Sequence, residues 1–389
     1  MSAKGKPKNG QKSGIRGGLL LLVLAIILVF IGKSPEFLLL SNRYFGGLDV
    51  GSEHNRLTLV SGLIGSEKQP FFDDPEVRAR LKELGLVVSV ETAGSREIAT
   101  RDDLMAIDFA FPSSAPAADK IAAKWPGAEK IEPFYSPMAI ATFTPVVDVL
   151  ERAGVVRYEG DQAILDVQAY IDLSSEGKRW RDLGPEIPSS RTVQISSTDI
   201  RKSNSAAMYL SLLSWAFTER NPDAANDVHM LANDIGPFFS GQGYTLSSSA
   251  GPFQDYLSKG IGAAPMVMIY EAQYLEEAMA DHSRLGEQNR LVYPSPTVVA
   301  SHTILGRTPS GKLLAHLLAE DPKLQELAAR HGFRPTQSGS LPQVAAEKGF
   351  TVPETIVDTV PVPSYDQLEA LITQVSNAYA GGTGTGGAQ

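Results

Sequence analysis

Hydroxyl side chains recur in this sequence where an apolar run of strand length gives way to a run of helical period. Ser61 lies late in the run at 57–64 and Ser66 follows it, Ser95 and Arg96 follow the next, Ser113 and Ser114 a third, and Ser203, Asn204 and Ser205 open the apolar stretch "SAAMYLSLL". A helix's first turn leaves backbone N–H groups without intrahelical partners and carries the positive end of its dipole. Such turns, together with hydroxyls, hold an anion or an oxygen-rich ligand without a full counter-charge. Arg96, Arg201 and Lys202 lie close by in sequence, and Tyr270 and Glu271, which end "APMVMIY", are placed to face the same site. Tyr135, before "SPM", is ambiguous between a ligand contact and a buried hydrogen bond to backbone. The competing reading is that each Ser simply caps a helix, a contribution of about 1 kcal/mol. "SEKQ" (66–69) even fits a capping box, with Gln69 reaching back.

Covalent chemistry finds little support. No G-x-S-x-G elbow occurs. The six histidines (54, 229, 282, 302, 316 and 331) show neither H-x-x-x-H nor HExxH spacing, and glycine-rich phosphate motifs are missing from the part expected to be ordered. We therefore expect a binding protein with no enzymatic activity, no cofactor and no metal. Helix positions such as Met208, Leu212, Trp215 and Phe217 read as core.

The elements that must position these residues alternate along the chain. "LTLVSGLI" reads as a strand, "DPEVRARLKELG" as a helix with Pro75 in its first turn and Gly85 past its end, "LVVSVETAG" and "IDFAFPSS" as strands, and "APAADKIAAKW" as a helix. Strand–helix–strand alternation predicts a parallel sheet with crossover helices. "PMAIATF" (137–143) is a further strand, and Thr144 is expected to cap "TPVVDVLERAG". A second series runs through a "RTVQISS" strand, the helix from Ser203, two more helices and the strand before Glu271. "LVYPSPTVVASHTIL" (291–305) returns as extended chain, and two helices, "SGKLLAHLLAE" and "DPKLQELAARHG", follow. Two α/β units with long extended segments near 137–143 and 293–304 predict a bilobal protein with a cleft between its lobes.

A chain of 389 residues, 43% hydrophobic, is long enough for more than one core, and its net charge of −9 gives it no nucleic-acid footprint. The charge is unevenly placed. Lys4, Lys6, Lys8, Lys12 and Arg16 make residues 1–16 wholly basic, and removing those five charges from −9 leaves −14 for the rest. "GGLLLLVLAIILVFIG" (17–32) follows without any charge, and "FLLL" (37–40) extends it. No small-x-small cleavage signal follows and no cysteine occurs, so an uncleaved signal anchor is favoured over a removed leader, with the basic tail inside the cell and the remainder outside. Without cysteine, no disulfide staples the exported part.

The order of "SGLIGSEKQPFFDDPEVRARLKELGLVVSVETAGSREI", "IDFAFPSSAPA", "YSPMAIATFTPVVDVL", "SSTDIRKSNSAAMYLSLLSWAF", "PMVMIYEAQYLE" and "LQELAARHGFRP" resembles the bacterial extracellular solute-binding proteins of the type 2 periplasmic-binding fold, the group with molybdate, sulfate and phosphate receptors. The resemblance spans about residues 57 to 335. It implies an α/β fold of two lobes, each a mostly parallel sheet flanked by helices, closing by hinge motion on a ligand between them. It also implies ligand contacts at Ser61 or Ser66, Ser95, Ser113, Ser114, Tyr135, Ser136, Ser203 to Ser205 and Tyr270. The adjacent tyrosine pair typical of iron receptors is missing, which argues against ferric ion.

The expected organisation is a basic cytoplasmic tail (1–16), a transmembrane signal anchor (17–40), a first lobe in two pieces (50–141 and 295–335), a second lobe (142–294) and a C-terminal extension (336–389) with a flexible Gly-rich end. The expected role is capture of a small polar, anionic ligand outside the membrane for an ABC-type permease. The same fold serving as a sensor or envelope-assembly protein is the alternative.

Overall fold

Leu86 to Thr92 (β2) lies beside Thr58 to Ile64 (β1), whose last three residues are all buried, and the two pair parallel in one register from Thr58↔Leu86 to Ile64↔Thr92. The connection between them is helix Pro75–Glu83. Asp74 caps it by accepting the Glu76 N–H, Pro75 presets its first turn, and Gly85 leaves it at φ 87°. The computed structural model from which these facts come describes residues 57–240, 248–337, 340–356 and 358–382. The expected basic tail and membrane anchor, and the Gly-rich end past residue 382, lie outside the described residues. Among those described, no helix is long and apolar enough to cross a membrane.

The remaining strands are Phe109–Phe111 (β3), Glu129–Phe143 (β4), Val156–Glu159 (β5), Gln162–Asp166 (β6), Val267–Tyr270 (β7), Asn289–Ser295 (β8), Val299–Gly306 (β9) and Arg334–Pro335 (β10). They join in the order β2-β1-β3-β9-β4-β8-β6-β5, with β7 and β10 also on β4. The pairing is mixed, which corrects the mostly parallel sheets expected. Among the described strands, β1–β2, β1–β3 and β6–β8 are the parallel pairs, whereas β4 pairs antiparallel with β7, β8, β9 and β10. The reason is geometric. β4 leaves the first half of the molecule and the β8–β9 stretch returns to it, so the two crossings must run in opposite directions.

β4 changes partners along its length, from β9 over Glu129 to Pro137 to β7 and β8 over Met138 to Phe143. Two halves result. One core gathers Met138, Phe143, Trp180 and the helix Asn204–Arg220, while two others flank the first-half sheet around Phe71, Phe109 and Phe134 and around Leu63, Ile98 and Trp125. Helix Asn204–Arg220 is buried on nearly every side, from Asn204 through Leu213, which is why its apolar residues are not confined to one stripe.

Three local expectations need correction. Phe143, not Thr144, occupies the cap position of helix Thr144–Arg152, and the Thr144 hydroxyl donates instead to Gln288 O at 3.3 Å. "RTVQISS" makes single bridges, Ser196 with Val267 and Thr192 with Arg179, because burying Val193 and Ile195 needs no continuing strand partner. "SEKQ" forms a 3-10 turn whose cap position is Gly65, with no side-chain cap.

Candidate functional site

Between the halves lies a cavity of about 250 Å³, equivalent to roughly eight waters at ~30 Å³ each. Ser66, Ser95 and Ser113 line it from the first half, and Ser203, Asn204, Ser205 and Tyr270 from the second. The walls touch directly. Ser66 Oγ lies 2.8 Å from Ser248 Oγ, and Asn204 Nδ2 donates to both Ser113 O and Tyr270 Oη at 3.0 Å.

The central serines do not cap the helices they precede or open. Ser203 stands at the cap position of helix Asn204–Arg220 yet makes no side-chain cap, and its Oγ pairs with Ser205 Oγ at 2.9 Å. Ser205 Oγ in turn lies 3.1 Å from Thr198 Oγ1. Ser95 Oγ accepts the Ser113 N–H at 2.8 Å, so it positions the neighbouring strand end and caps no helix. No side chain caps the first turn of the Asn204 helix, whose Asn204 and Ser205 line the cavity.

Six expected contacts go elsewhere. Ser61 gives its N–H and hydroxyl to Asp108 Oδ2 at 2.8 and 3.2 Å, because its alternate position on β1 turns it from the strand end. Arg96 is engaged by Glu369, with Nη2–Oε2 at 2.6 Å, and donates to Ile200 O at 2.9 Å. Ser114 lines a separate cavity bounded by residues 359–366. Tyr135 sits within the β4 ladder opposite Arg334 and Ser301. Ser136 Oγ accepts the Ala272 N–H at 3.1 Å, serving the first turn of helix Glu271–Met279. Glu271 is fully buried, bound by Arg334 at 2.6 and 2.8 Å and by the Tyr293 hydroxyl at 2.7 Å. Arg201 turns to Asp199 at 2.6 Å, which leaves Lys202 as the cation at the cavity's edge.

The sequence reading passed over the most polar part of the wall. Glu67 lines the cavity, and beneath it Lys68 is wholly buried. Lys68 Nζ contacts the Glu67 carboxylate and donates to Ser113 Oγ at 2.8 Å and to His302 Nδ1 at 3.0 Å. Ser113 Oγ also donates to Glu67. Burial alone would raise the Glu67 carboxyl, but the Lys68 charge beside it holds it below the usual carboxylate range. Burial lowers Lys68, and Glu67 opposes that shift. The signal was two adjacent charges, "EK", one turn past a strand end; Ser248 and Ser249, also in the wall, sit in "LSSS", which has no periodicity to read.

His302 is buried among Phe134, Tyr270 and Phe333, with ring centroids 5.1 to 5.8 Å away. Lys68 can only donate, so Nδ1 accepts and the proton sits on Nε2, which is buried without a hydrogen-bond partner. Burial, then the Lys68 charge, pushes its pKa down to about 4. A lowered histidine binds its proton in the unfolded chain first, so stability falls as pH drops from about 6.5 to about 4 and the loss is complete below that window. At 1.36 kcal/mol per unit the loss is about 3 kcal/mol. Urea unfolding across this range measures it. His302→Asn, whose carbonyl can still accept from Lys68, should flatten the slope, and an unchanged slope would assign the pH dependence to other groups.

No family model matches the chain, and no curated protein does. Solved structures similar to it include the sulfate-binding protein SubI from Mycobacterium tuberculosis H37Rv, 18% identical over 76% of this chain and 93% of that one, with a TM-score of 0.47. Apo ferric ion-binding protein A from Pasteurella haemolytica is 12% identical over 83% and 96%, TM-score 0.48. The periplasmic binding protein AfuA from Actinobacillus pleuropneumoniae, with fructose 6-phosphate bound, is 11% identical over 85% and 98%, TM-score 0.45. Each is named as a binding protein.

Proposed function

We propose that this chain is a solute receptor whose two halves close over one small polar ligand and hold it without covalent chemistry. The observation that carries the reading is the convergence of seven strand-end and helix-start residues, from both halves, on one cavity of about 250 Å³. Hydroxyls, the Asn204 amide and the uncapped first turn of helix Asn204–Arg220 supply donors and a positive dipole end. Glu67 is neutralised by Lys68, so the wall tolerates an anionic group while offering a carboxylate to any donor the ligand carries. Micromolar capture requires about 8 kcal/mol net, within reach of a handful of such bonds after the entropy cost of binding.

In this reading the basic and apolar N-terminal residues keep the protein at the outer face of the cell membrane, and the ligand passes to an ABC-type permease. Protease digestion of intact cells checks the orientation, since only an external chain is degraded.

A thermal-shift screen of the chain with sulfate, phosphate, molybdate and phosphorylated sugars tests the receptor role. A ligand at 100 times its dissociation constant adds about 2.7 kcal/mol. Ser203→Ala combined with Ser205→Ala should abolish that shift and lower the unliganded melting point only modestly, because neither hydroxyl caps a helix and only the Thr198 hydroxyl loses a partner. A shift that survives both substitutions, or none with any compound, counts against the site.

A further inference from the structure

The C-terminal extension touches both halves, and it does so by different chemistry on each side. Helix Tyr365–Gly382 buries Leu368, Leu371, Ile372 and Val375 in the second-half core. Just before it, Asp358 and Val360 pair with Thr297 through two 2.9 Å backbone bonds, on the turn where β8 crosses into β9. Toward the first half its contacts are ion pairs and one aromatic ring, Tyr365, which packs against the core around Leu63, Ile98 and Trp125. Glu369 accepts from Arg96 Nε and Nη2, Asp366 lies 3.4 Å from Lys120, and the Lys120 ammonium stands over the Tyr365 ring at 5.1 Å. Arg96 also donates across the cleft to Ile200 O, so one guanidinium ties the first half to the second half and to the extension together.

We propose that helix Tyr365–Gly382 is a latch: it is fixed to the second half by apolar burial and holds the first half closed through Arg96–Glu369, thereby setting how readily the cavity opens. The inference rests on the reading of the cavity as a closing ligand site, and it adds the control of that site. An apolar anchor stays in place when the halves part, whereas a bidentate ion pair is made and lost as a unit and weakens with salt. Opening the cleft must break Arg96–Glu369 and Arg96–Ile200 O in the same movement.

The chain has no cysteine, so Lys82→Cys and Lys178→Cys, one exposed position on each half, give a unique pair for spin labels. Pulsed dipolar distance measurements on the full, ligand-free chain should show one short distance at low salt. Glu369→Gln should raise the longer-distance population on the order of tenfold, as loss of one charge-assisted pair would, and 1 M NaCl should do the same in the parent. Exchanging the charges, Arg96→Glu with Glu369→Arg, should restore the short distance, which separates latching from general damage. Identical distributions for Glu369→Gln and the parent, or failure of the exchange to restore closure, would overturn the latch. Because no ligand is used, this result is independent of the thermal-shift screen: distances that respond without any ligand found would leave the latch standing and the receptor reading alone in difficulty.

Discussion

Lys68→Met should destabilise the protein by about 3–5 kcal/mol, as expected when one member of a buried ion pair is removed and the other is left charged. Lys68 is fully buried and Glu67 has only 6% of its side chain exposed, so water cannot take the ammonium's place. Ser113 Oγ and His302 Nδ1 lose a donor as well. Urea unfolding of the single variant measures the cost, and Glu67→Gln with Lys68→Met should recover most of it, since two neutral groups of similar shape carry no stranded charge. A single variant within 1 kcal/mol of the parent would show that Glu67 finds other partners.

That expectation bears on why the pair is there. A well-packed apolar pair of the same volume often matches or exceeds a buried ion pair in stability, so Glu67–Lys68 is explained poorly by stability and better by what Glu67 presents to the cavity. Losing Lys68 would also leave one net negative charge in the wall, and an anionic ligand should then bind more weakly than the stability loss alone predicts.

How much of this was readable beforehand follows from the range of the signals. Strand ends and helix starts are local, and hydropathy period with Pro75 and Gly85 located β1, helix Pro75–Glu83 and β2 to within two residues. Ser66, Ser95, Ser113, Ser203, Asn204, Ser205 and Tyr270 could be named because each follows a local rule about where strands end. Direction of pairing was not local: β4 reads as strand only over 137–143, since Lys130, Glu132 and Pro133 hide its first half, and its antiparallel partners come from more than 100 residues away. The same limit misplaced Arg96 and Glu271, whose partners Glu369 and Arg334 lie 273 and 63 residues on. A charge beside a strand end looks the same in sequence whether it faces a ligand or a distant carboxylate.

Gly94→Ala should lower ligand affinity about 100-fold while leaving the unliganded chain folded. Gly94 has φ −65° and ψ 145°, a backbone any residue adopts, so nothing local demands glycine. A methyl group there would nevertheless lie 2.5 Å from the Lys202 carbonyl oxygen, across the gap between the halves. Neither backbone can yield cheaply, so the halves must part, which stretches Arg96–Ile200 O, Ser66–Ser248 and Asn204–Ser113 together. Losing two such bonds' worth of closure, about 3 kcal/mol, is a factor of about 100 in affinity. Gly85→Ala gives the contrast. Its φ of 87° makes a side chain costly by about 1 kcal/mol in stability, yet nothing lies within 4 Å of the added carbon, so binding should be unchanged. Calorimetric titration of both variants with the compound that stabilises the parent separates the two effects. Equal affinities for Gly94→Ala and the parent would mean that the ligand is held without the halves reaching this closeness, and the cavity would then have to be read as a pocket of one half alone.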